Sequence, residues 1–120
     1  MILEDIEQSL QDFDPNVFYG MVDDERVKKL GVWDYTVFNR VNITYSKDKT
    51  SASDYFDVNI IRENYVPDGT DTEVINKLTV LNGVKLASKE PTFTYVKKPN
   101  TNIVIEMLTI SFVRARKLNV

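Results

Sequence analysis

Residues 54–78 read DYFDVNIIRENYVPDGTDTEVINKL, and two periods meet in them. Phe56, Val58 and Ile60 recur at every second residue, the pattern of a strand with one buried face. Val74, Ile75, Leu78 and Leu81 recur at helical spacing. Between the two lies Pro67-Asp68-Gly69, a breaker with turn chemistry. Thr70 and Glu73 have the spacing of a capping box, in which the hydroxyl caps the backbone and the carboxylate reaches back. The stretch predicts a strand over 55–65, a turn, and a helix over 70–81. Asn82-Gly83 stops that helix with a residue free to take positive φ.

Upstream, YTVFNRVNITY (35–45) predicts a long strand. Tyr35, Val37, Val41, Ile43 and Tyr45 fall on one face, and Thr36, Arg40, Asn42 and Thr44 on the other, with Phe38 the exception. KDKTSAS (47–53) lacks apolar periodicity and predicts a mobile hairpin loop that orders against a partner. Residues 2–13 predict a first helix, with Ile2, Leu3, Ile6, Leu10 and Phe13 on one stripe and Asp14-Pro15-Asn16 ending it. VFYGMV (17–22) reads as a short strand in which Gly20 marks a bulge or close approach. DDERVKKLG (23–31) reads as a polar connector with room for one helical turn. Downstream, 84–88 is a short extended piece, 92–96 a strand, 99–102 a turn, and IVIEMLTISFV (103–113) the last strand.

The expected order is α-β-β-β-α-β-β, an α+β pattern. It implies a mainly antiparallel sheet of about four to five strands with two helices packed on one face. The last strand complicates this. Val104, Leu108, Ile110 and Phe112 make one face apolar, and Ile103, Ile105, Met107 and Val113 the other. Two helices cover one face of a small sheet, so the second face calls for the 23–31 connector, a sheet fold-over or another subunit.

Composition bounds the chemistry. The 120 residues fit one domain, 1–120. Cysteine and histidine are both absent. That removes thiolate nucleophiles, disulfides, the commonest metal ligand and the commonest general base, and argues against an enzyme, a metal or a cofactor. No apolar run approaches the roughly 20 residues of a membrane span. MILEDIEQSL carries acids where an export signal needs a basic start. Net charge is −3 but uneven: residues 1–60 hold 12 acids and 6 bases, and residues 61–120 hold 6 acids and 9 bases. Such a split permits head-to-tail contact between copies.

Few constellations carry chemistry. Asp23-Asp24-Glu25 lacks metal-loop spacing. Asp54 and Asp57 are three apart on a strand and point to opposite faces, so they form no catalytic pair. Glu106 shares an apolar face, where a carboxylate needs a partner such as Arg40 or Arg62. Arg114, Arg116 and Lys117 form a basic cluster that suits phosphate or an acidic protein face but is too small for sequence-specific nucleic-acid binding. Trp33, Tyr35, Phe38, Tyr65 and Phe18 are core residues or interface anchors.

The ordered segments FYG (18–20), WDYTVFNR (33–40), 54–78 as quoted, and FTYVKKPNTNIVIEMLTISFVRARK (93–117) carry a resemblance. The chain resembles, nearly end to end, the neck proteins of long-tailed bacteriophages and prophages, in particular the tail terminators of phages of Gram-positive hosts. The resemblance implies a structural α+β subunit in a ring, typically a hexamer. Such a ring caps the finished tail tube, stops its polymerisation and joins it to the head-completion or connector protein. It implies the tube protein and the connector as partners, DNA passing through the lumen, assembly in the host cytoplasm and residence in the virion neck. It brings no catalytic, cofactor or metal residues. The rival readings are a head-completion or connector adaptor and, from a different class, a small enzyme or nucleic-acid-binding regulator. The expected subunit or partner interface comprises Arg62, Glu63, Tyr65, Trp33, Arg40, Glu106, Arg114, Arg116 and Lys117.

Overall fold

The computed structural model describes residues 2–118, with only the backbone of Asp24. The elements run α1 (Ile2–Gln11), β1 (Val17–Tyr19), α2 (Asp24–Leu30), β2 (Tyr35–Tyr45), β3 (Ser51–Glu63), α3 (Thr70–Thr79), β4 (Val84–Leu86), β5 (Thr92–Lys97) and β6 (Val104–Lys117). The class is α+β, as expected. The order differs from the expected one, because 23–31 holds a helix and 84–86 a strand. Among the described residues there are three helices and one mixed sheet of six strands, not two helices and four to five strands.

The sheet runs β1-β2-β3-β6-β4, with β5 also on β6. β4 pairs with residues 112–114 of β6 and β5 with residues 104–109, so the two share one outer edge. β1 pairs parallel with β2, and the other pairs are antiparallel. A parallel pair requires a crossover between its strands. α2 is part of that crossover, and the packing of Val27 on the sheet holds a helix in the polar connector. Its seven residues carry only two apolar side chains, Val27 and Leu30, too few to show a period. Asp23 caps it by accepting from the Arg26 N–H at 2.8 Å.

Each sheet face carries a core. On one, α1 and α3 bury Ile6, Leu10, Val74 and Leu78 against Phe38, Phe56, Val58, Ile60, Leu108, Ile110 and Phe112. Each such aliphatic side chain contributes about 1.5–3 kcal/mol through burial. On the other, Val27 of α2 packs with Tyr35, Ile61 and Ile105, flanked by Trp33, Ile103 and Met107. The connector, not a second subunit, therefore covers the second apolar face of β6 at that end.

The exception at Phe38 has a cause. The β2–β3 register shifts between Arg40 and Asn42, leaving Val41 as an extra residue. Before the bulge, Phe38 pairs with Val58 and Arg40 with Phe56, on the helix-covered face. After it, Ile43 pairs with Asp54 and Tyr45 with Ala52 on that same face. Tyr35 and Val37 lie on the other. One inserted residue inverts the alternation.

Two local expectations are corrected. Thr70 and Glu73 form no capping box. The cap position is Gly69, at φ 88°, without a side-chain cap bond, and Thr70 is buried with its hydroxyl donating to Pro67 O at 2.7 Å. The hairpin loop expected over 47–53 is present but shorter, lying between Tyr45 and Ser51. β3 begins at Ser51, and the turn is tied by Ser46 N–H to Ser51 O at 3.0 Å and by Ser46 and Thr50 hydroxyls donating to Asp48. These bonds hold the Asp48 carboxyl below its usual range.

The molecule measures 53 × 28 × 25 Å, and its radius of gyration of 15.7 Å exceeds the about 13.6 Å of a compact chain of this length. The far ends of β2, β3 and β6 extend past the helices.

Candidate partner interface

Arg62, at the end of β3, is committed internally. It pairs with Asp14 at 3.0 Å, donates to Tyr35 O and Ile61 O, and lies over the Phe13 ring. Asp14 is only 4% exposed and also accepts from the Thr36 hydroxyl and the Asn16 N–H. This network ties the end of α1 to β2 and β3. Glu63 accepts from Lys98 Nζ and from the Trp33 N–H, and these bonds, Lys98 first, hold its carboxyl below the usual range. Lys98 also lies over the Trp33 ring. Arg62, Glu63 and Trp33 thus lock the corner rather than present it.

What the corner presents is Tyr65. Asn64 takes φ 71° and donates its N–H to Val104 O, Val66 is buried, and the Val66 N–H donates to Glu106 Oε1 at 2.7 Å. Glu106 lies opposite Arg62 in register, yet its partners are this amide and the Tyr95 hydroxyl, whose pKa the bond raises. The expected pairing with Arg40 or Arg62 is corrected accordingly. Tyr65, between these fixed points, is 67% exposed, and Asp68, Asp71 and Glu73 beyond it are exposed.

A groove of about 430 Å³ lies at the opposite end of the same sheet face. Ile2, Leu3 and Ile6 of α1 form one wall, and Val41, Ile43 and Phe56 the apolar floor and second wall. Arg40, Arg114 and Arg116 border it. Arg40 donates a peripheral bond to the Tyr19 hydroxyl at 2.9 Å. Arg116 pairs with Asp54 at 2.8 Å, which raises the guanidinium pKa further. Arg114 Nε is buried without an acceptor, the one such side-chain atom among the described residues. The Val41 bulge turns Ile43 into this groove.

The structure thus divides the expected interface in two. Arg62, Glu63, Tyr65, Trp33 and Glu106 gather at one end; Arg40, Arg114 and Arg116 gather at the other; Lys117 lies exposed at the β6 terminus, paired with Ser51. Sequence reasoning missed Ile2, Leu3 and Ile43 as groove residues. Their signal was the helix stripe and the broken parity at Phe38, both visible but not assignable to one place.

Among the described residues no strand pairs with the outer edge of β5, and its Phe93, Tyr95 and Val96 are exposed. No group of three or more acidic side chains that could hold a metal occurs among the described residues, and no described helix is long and apolar enough to cross a membrane. Comparison with models of known protein families gave no match, and comparison with curated proteins gave none either.

Proposed function

We infer that the chain is a structural assembly subunit, a tail terminator that forms a ring at the head–tail joint of a long-tailed phage. In this reading the ring ends the growth of the tail tube and receives the connector. The observation that carries it is the placement of two different exposed surfaces at opposite ends of an elongated body: an aromatic corner beside acids, and an apolar groove bordered by arginines. Surfaces of that kind associate head to tail, and head-to-tail contacts close into rings when the rotation allows. The resemblance over 18–20, 33–40, 54–78 and 93–117 supplies the choice of neck over other assemblies.

The test is polymerisation of the cognate tube protein with and without this chain, read by electron microscopy. Shortened tubes with added density at one end are expected. Tubes of unchanged length with bare ends overturn the reading, and exclusive binding to the portal moves the protein to the head-completion class.

A further inference from the structure

We propose that the arginine-bordered groove of one copy receives the Tyr65 corner of a second copy. The proposal deepens the assembly reading above and rests on it. The two surfaces match in chemistry. The groove is apolar with cations at its border; the corner is a phenol ring followed by Asp68, Asp71 and Glu73. A tyrosine that enters such a groove covers about 150–250 Å² and keeps its hydroxyl for a polar partner.

Arg114 adds a second argument. A buried donor without an acceptor is costly, and a guanidinium more so than an amide. Arg114 borders the groove, and a neighbour's carboxylate entering there gives its guanidinium an acceptor once the side chain turns Nε out of its buried position. Asp54, the acid that lines the groove, is engaged by Arg116.

The corner is also ordered before it binds. Glu106 holds the Val66 amide, Lys98 holds Glu63, and Gly69 sets the turn into α3. Docking a fixed ring immobilises few groups, so little of the contact energy is lost to ordering. Groove and corner lie near Phe56 and Glu63, about 23 Å apart along β3. One copy cannot fill its own groove, and the contact joins unlike surfaces. The competing knob, Met21 at 88% exposure beside Asp23 and Glu25, follows Gly20, whose N–H bonds Phe38 O, two residues from Arg40. It lies beside the groove rather than at the far end.

Native mass spectrometry of the full chain over a concentration series tests the contact. Wild type forms discrete oligomers. Tyr65→Ala and, separately, Arg40→Glu raise the dissociation concentration by about tenfold or more. Arg40 and Tyr65 are both exposed, so thermal melts check that each variant folds. Mixing the two decides the matter: one has an intact groove, the other an intact corner, and together they form 1:1 dimers and nothing larger. Oligomers that survive Tyr65→Ala, or that yield to Met21→Ser instead, overturn the proposal, as does a mixture that stays monomeric. A wild-type chain monomeric at every concentration overturns it too, whatever it does at a tube end. A chain that assembles by this contact yet leaves tubes uncapped overturns the tail-terminator reading and not the contact.

Discussion

Arg62 and Arg114 stand on the same face of the paired strands β3 and β6, near opposite ends of the pairing. Around Arg62 the chain supplies a carboxylate, two carbonyls and an aromatic ring. Around Arg114 it supplies the border of an open groove, with one buried nitrogen left over. The difference comes from coverage. The end of α1 and residues 12–16 close over the first site, bringing Asp14. The first turns of α1 only flank the second. A charged residue type says little until the segment lying above it is known.

Breaking the closed site gives the largest effect. Arg62→Ala leaves Asp14 buried and unpaired, and is expected to lower unfolding stability in urea by about 3–5 kcal/mol. Arg40→Ala, at the open site, is expected to cost at most about 0.5 kcal/mol. Equal losses for the two would erase the distinction between the sites. Next, Arg114→Met removes an unsatisfied donor while keeping the stem. We expect stability unchanged or raised by about 1 kcal/mol, with assembly weakened in sedimentation. A loss of stability there would mean that the Arg114 charge already serves the single chain.

Glu63 sharpens the contrast through pH. Its folded pKa is depressed, chiefly by Lys98, so its contribution is present above the unfolded value of about 4.3 and is lost as pH falls through the lower folded value. The melting-temperature gap between wild type and Glu63→Gln should therefore be widest near neutrality and close in acid. A gap independent of pH would show that the carboxylate charge does not matter. A small effect is expected at the far turn, where Asp48→Ala removes hydrogen bonds at an exposed site: the melting temperature should fall slightly, and a drop as large as that of Arg62→Ala would show that the turn holds the sheet together.

The opening stretch was legible because its signals are local. A change from alternate to helical spacing across Pro67-Asp68-Gly69 holds in any surroundings, and the structure has β3 through Glu63 and α3 from Thr70. The groove was legible only in pieces. The basic cluster at 114–117 and the stripe of α1 could each be read from sequence, but their meeting could not. It depends on the Val41 bulge, which shifts the β2 register by one residue and turns Ile43 to the helix-covered face. Register is settled by pairing between segments, and no single segment contains it.

Sequence by itself determined the α+β class, the long strands, the first and last helices and the poverty of catalytic groups, because composition and period belong to the chain before it folds. Tertiary structure decided that the helical turn expected in 23–31 becomes α2, since Val27 finds its partners only on the folded sheet. It decided that Asp14 rather than Glu106 takes Arg62, although Glu106 stands directly opposite in register. It also decided which arginines stay open. Those outcomes turn on which distant segments come to lie together, and the favourable energy of burying and pairing groups is gained only at that meeting.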